Sequence, residues 1–182
     1  MNCGSRGRPN RLRIVAILGS ALTIAVSGCA GQLGPGSLLV VGNEGEVCLP
    51  APEEGFVQLG GIAVEQIAAD TEAQSAEFVE AANAVAVGAY LLPLNGSFDL
   101  VGFDHVDTEW ETSVPAEAIV LDGKPQPLVA DETYNLVLIL SVTDKTRAAM
   151  VNAFVFQYSE GGVDRRTEVP DSIVIPPLGE AC

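Results

Sequence analysis

The stretch "YNLVLILSV" at 134–142 is apolar at odd and even positions alike, which predicts a strand covered on both faces. A polar break, "TDKTR", follows, and "AAMVNAFVFQY" predicts a second long strand, so the two are expected to form an antiparallel hairpin at the centre of the domain. Two short strands, "RRTEV" and "SIVIPP", should complete the chain, with Pro176 and Pro177 stopping the pairing because proline has no amide to donate. Earlier, "LLVV" at 38–41, "GIAVEQI" at 61–67 and "AVAVGAYLLPL" from Ala84 read as strands; Pro93 limits the last, "NGS" at 95–97 turns it, and "LDGK" at 121–124 is a further turn. One segment departs from this pattern. "DTEAQSAEFVEAAN", residues 70–83, is rich in Ala and Glu, has Asp70 or Thr71 to cap it and carries acid in its first turn; a short helix is expected there.

The fold class that follows is all-β, a single antiparallel sandwich over residues 38–182 with that one helix. The segment "LVADETY" places Leu128 six residues ahead of Tyr134. It resembles the tyrosine corner of Ig-like and fibronectin type III sandwiches, in which a phenol at a strand start bonds back to the preceding turn. The resemblance implies an Ig-like sandwich and would put the single Trp, Trp110, in the core on a middle strand. No Ig-type Cys pair spans the region.

The N-terminus has a different character. Arg6, Arg8, Arg11 and Arg13, with no acidic residue, precede "IVAILGSALTIAV" at 14–26. At about 1.5 Å per residue that run covers roughly 20 Å, short of the roughly 30 Å hydrocarbon core, so a signal peptide fits better than a permanent span. The run ends in "VSGC", residues 26–29. This resembles the lipobox of bacterial lipoproteins, and the resemblance covers the first 29 residues. It implies cleavage between Gly28 and Cys29, a diacylglyceryl group on the Cys29 sulfur and an extracytoplasmic, membrane-anchored product; two or more acyl chains suffice for stable anchoring. An ordinary signal peptide cut nearby and an uncleaved anchor are the alternatives. Residues 1–28 would then be the signal peptide, and residues 29–37, the lipidated Cys followed by the Gly-rich "AGQLGPGS", a flexible tether.

Processing changes the charge and the cysteine count. The nine basic residues fall to five while all 24 acidic ones stay, so the net charge moves from −15 to −19. Such a surface repels nucleic acid and anionic lipid, whose binding relies on Lys and Arg. With Cys3 removed and Cys29 lipidated, Cys48 and Cys182 remain, and two cysteines in an exported domain suggest a disulfide. It would close a loop of roughly 135 residues and stabilise by up to about 5 kcal/mol on the chain-entropy model. A metal or a reactive thiol is the competing reading; neither CxxC spacing nor a nearby His supports it.

Catalytic chemistry is harder to find. His105 is the only His, and "GFDHVDTEWE" gathers Asp104, Asp107, Glu109 and Glu111 around it. On a strand, residues 105, 107, 109 and 111 share one face, so His105, Asp107 and Glu109 form a candidate divalent-metal site. The same alternation also describes a solvent-facing strand with Val106 and Trp110 turned inward. EF-hand spacing, a phosphate-cradling Gly loop and clustered Met and His for copper are all missing. The function expected is a non-catalytic binding or scaffolding module without a cofactor beyond the Cys29 lipid, meeting an envelope protein or a small ligand. A metal-binding protein is the second reading and an envelope enzyme the third.

Overall fold

The computed structural model describes residues 36–42, 45–96, 104–106 and 109–182. The signal segment, Cys29 and Asp107 lie outside the described residues. Among the described residues the chain forms two sheets and no α-helix. The first sheet runs β1 (Leu39–Val41), β3 (Phe56–Glu65), β9 (Tyr134–Val142), β5 (Ala84–Pro93) and β7 (Ile119–Val120), with β6 (Asp104–Val106) also on β3. The second runs β2 (Glu46–Cys48), β11 (Val163–Ile175), β10 (Ala149–Glu160), β4 (Thr71–Ala82) and β8 (Gln126–Pro127). All pairs are antiparallel except β2 with β11, so the second sheet is mixed.

The sheets pack face to face as a β-sandwich. Val57, Leu59, Ile62 and Val64 of β3 and Leu136, Leu138 and Leu140 of β9 meet Phe154, Phe156 and Tyr158 of β10, Val169 and Ile173 of β11, and Ala73 and Ala76 of β4. Alternation along the strands, shifted at irregularities in β3 and β4, supplies this layer. The prediction for β9 holds on both faces. Its other side, Val137 and Ile139, is covered with Tyr90 by a second apolar cluster containing Trp110. Trp110 does not sit on a middle strand. It lies in a 3₁₀ turn, Trp110–Ser113, on the outside of the first sheet, and its ring rests on Gly88 so closely that any Cβ there would collide with it.

Three expectations are corrected. Residues 70–83 are not a helix: Thr71–Ala82 form a strand whose Ala73, Ala76 and Phe78 pair with core residues of β10. A register shift between Ala73 and Ser75 in β4's pairing breaks the strict alternation, so the core positions are 73, 76 and 78 in a segment whose composition favours helix. Propensity is a weak prior, and burial in the sheet overrides it. The hairpin of 134–142 with 148–158 does not form either. β9 pairs with β3 and β5 in one sheet while β10 pairs with β4 and β11 in the other, so the turn between them crosses the sandwich. Finally, "RRTEV" and "SIVIPP" belong to one long strand, β11, which does end before Pro176.

A single side chain ties two crossings together. Asn83, with φ of 58°, turns β4 into β5 of the opposite sheet. Its amide nitrogen donates to the carbonyls of Asp144 (2.8 Å) and Arg147 (2.9 Å), and its oxygen accepts from Thr143 Oγ1 (2.6 Å) and the Asp144 amide (2.8 Å). The β4–β5 corner therefore holds the β9–β10 crossing.

Candidate functional site

Cys48 and Cys182 lie at disulfide distance, with a Cα separation of 5.6 Å, and join the end of β2 to the last residue of the chain. Just beyond Cys48, the Leu49 amide bonds to the Val174 carbonyl at 2.9 Å, which aims Leu49 and Pro50 toward the start of β3. There β6 pairs with β3, His105 opposite Val57. Leu49, Pro50, Val57, Asp104 and His105 enclose a depression of about 190 Å³.

His105 is held by two contacts. Its amide donates to its neighbour Asp104 Oδ1 at 2.8 Å, and its Nε2 stands 3.2 Å from the Pro50 carbonyl oxygen. A carbonyl only accepts, so this hydrogen bond requires a proton on Nε2. In this position the imidazole fastens β6 to the turn after the disulfide.

The strand expected over 105–111 is not continuous. Among the described residues β6 covers Asp104–Val106, and Glu109 is the cap of the 3₁₀ turn, its carbonyl accepting from the Thr112 amide (3.0 Å) and hydroxyl (2.8 Å). His105 and Glu109 therefore stand on different elements, and Asp107 falls outside the described residues. Among the described residues no group of three or more His, Cys, Asp and Glu is placed to hold a metal ion.

The phenol of Tyr134, 2% exposed, accepts a hydrogen bond from the Val129 amide at 3.0 Å, the contact expected of a tyrosine corner. It fixes the entry into β9 and so the sheet on which the outer cluster rests. The seat of Trp110 on Gly88 was signalled by glycine inside an otherwise apolar strand, a position that marks close approach of another group.

The other polar assembly lies just ahead of β1, at Gly36 and Ser37. The Gly36 amide donates to Tyr158 Oη at 3.2 Å, and Ser37 donates to the Glu160 carboxylate through its amide (3.2 Å) and its hydroxyl. Glu160 also faces Arg165 Nε at 3.9 Å. The Ser37 hydrogen bonds, with the Arg165 charge as a smaller contribution, hold the Glu160 carboxyl below the usual carboxylate range. Gly36 and Ser37, assigned by composition to a flexible tether, are bonded to the end of β10. Sequence reasoning missed this contact because the partners are more than 120 positions apart.

Compared with known families, characterised proteins and solved structures, the chain matches no family model, no curated sequence and no solved structure.

Proposed function

We propose that the protein is a lipid-anchored envelope module that binds or scaffolds another molecule without catalysing a reaction, held on the extracytoplasmic face by an acylated Cys29. The observation that carries this reading is "VSGC" at 26–29, placed directly after a basic and an apolar segment in the order a secreted lipoprotein requires. Two features of the domain accord with it. The bonds from Gly36 and Ser37 to Tyr158 and Glu160 give a tether from Cys29 a defined point of departure. The only His of the chain is engaged with the Pro50 carbonyl, in the manner of a packing group.

Mass spectrometry of the protein extracted from its own membranes tests the anchor. The expected species begins at Cys29, carries a diacylglyceryl group and lacks residues 1–28. An unmodified Cys29, or a chain retaining residues 1–28, refutes the reading. Crosslinking in the same membranes tests the binding role and is expected to yield a discrete adduct.

A further inference from the structure

In the first sheet, β7 covers the outer edge of β5 only at Tyr90 and Leu91, with the Leu121 amide adding a bond to the Ala89 carbonyl. Among the described residues no strand pairs with that edge over residues 84–88, "AVAVG". An open edge is a template for another strand, and proteins ordinarily blunt it with charge or proline. This one has neither, its one irregularity being the register shift between Ala86 and Gly88. It carries Val85 and Val87, 46% and 38% exposed, with Val120 of β7 beside it at 43%.

The charge around the edge is mostly of one sign; the cations nearest its start are Lys145 and Arg147, on the crossing bonded to Asn83. Between Arg13 and Lys124 the sequence has no Lys or Arg, and β9, the remaining strand of the first sheet, has none either. Every strand of that sheet is therefore without a cation. The exposed Glu109 and Glu111 flank Trp110, whose ring sits on Gly88 at the end of the open stretch. On β4 of the second sheet, which the Asn83 corner joins to β5, Glu77 and Glu80 are exposed. A second copy of this chain would bring the same carboxylates to its own copy of the edge, and like charges set against each other oppose pairing.

From this we infer that the free edge of β5 at residues 84–88 accepts an extended strand of a basic partner protein. The partner's main chain bonds to the β5 backbone, its apolar side chains cover Val85, Val87 and Val120, and its Lys or Arg residues answer the surrounding carboxylates. Main-chain pairing supplies affinity in this mode of recognition and the side chains supply selectivity. The inference rests on the binding-module reading and names the surface and partner chemistry for it.

The test uses the full chain in detergent and two synthetic peptides, one alternating Val with Lys and one alternating Val with Glu. Amide hydrogen exchange is followed residue by residue, together with the emission of Trp110. The Val–Lys peptide is expected to slow exchange across 84–88 by tenfold or more, with an effect that weakens as salt screens the charges. The Val–Glu peptide is expected to leave these amides unchanged. Replacing Val85→Lys and Val87→Lys together should remove the protection, and the peptide comparison on the unaltered chain stands even if that variant folds poorly. Equal protection by both peptides, protection confined to another strand, or protection of 84–88 in a peptide-free dimer each overturns the inference. A membrane crosslinking partner that leaves 84–88 unprotected overturns this surface and leaves the binding role standing. Absence of any partner removes the binding role itself, whatever the peptides do.

Discussion

Asn83 offers the sharpest test of how this sandwich is closed. Its side chain makes four hydrogen bonds of 2.6–2.9 Å to the 143–147 segment, and its backbone is left-handed, with φ of 58°. These two properties separate by substitution. Asn83→Gly keeps the conformation and removes the bonds; Asn83→Ala removes the bonds and also places a Cβ in a region that costs roughly 1–2 kcal/mol. A partly exposed hydrogen bond contributes about 0.5 kcal/mol net, the low end of the usual range, so the glycine variant should lose about 2 kcal/mol. The alanine variant should lose about 3 to 4 kcal/mol. For a domain of this size each kcal/mol corresponds to about 2–4 °C in midpoint. Thermal and urea unfolding followed by circular dichroism should then rank the midpoints wild type, glycine, alanine, with the glycine variant down by about 4–8 °C. Equal midpoints for glycine and alanine would refute the left-handed corner. Losses below about 0.5 kcal/mol in both would show that Asn83 does not hold the crossing of β9 into β10.

Three further outcomes follow from the same geometry. Cys182→Ser opens a loop with a sequence separation of 134 and should lower stability by up to about 5 kcal/mol, measured by urea unfolding of the oxidised and variant proteins; a loss under 1 kcal/mol would show that the bridge does not constrain the unfolded chain. Gly88→Val should expel the Trp110 ring from its seat, shifting the emission of the chain's only Trp to the red and lowering the unfolding midpoint; unchanged emission would refute the contact. For Glu160 the folded pKa is depressed from the ordinary 4.5. Its contribution is therefore complete above about pH 4.5 and is lost as pH falls through the lower folded value. Proteolysis within residues 30–37 should accelerate on acidification through that window, and Glu160→Gln should show the fast cleavage already at pH 7; cleavage independent of pH in the wild type would refute the tie.

Much of the fold was legible because alternation reports burial directly. "YNLVLILSV" predicted β9 to the residue and predicted that both its faces are covered, and the tyrosine-corner resemblance implied a bond from the phenol back to the preceding turn, which the Val129 amide makes. The arithmetic of two remaining cysteines led to Cys48 and Cys182, which do come together. What failed is information the local pattern does not hold. Periodicity says that a strand is half-buried or fully buried and is silent about which sheet it joins, so β9 and β10 looked like a hairpin although the turn between them spans the sandwich. In β4 the shift in register between Ala73 and Ser75 spread the core-facing positions to 73, 76 and 78, and composition then tipped the reading toward helix. The candidate site around His105 was legible as a collection of ligand-type residues. Its geometry was not, because His105 lies on β6 while Glu109 caps a 3₁₀ turn, a change of element that period-two alternation does not report.

The placement of charge joins the fold to the proposed role. All five cationic side chains after Arg13 lie at Lys124, Lys145, Arg147, Arg165 and Arg166, on or near the second sheet and its crossings. If solubility alone set the composition, scattered charge of both signs would serve, as it does on ordinary surfaces. Here the open stretch of β5 has neither Lys nor Pro, and the strands of its sheet carry no Lys or Arg, the nearest cations being Lys145 and Arg147 on the crossing bonded to Asn83. Anionic surroundings discourage pairing between copies of this chain and with other acidic proteins, and they leave cationic strands unopposed. On the proposed reading, an edge left apolar within such a field selects cationic strands over copies of this chain.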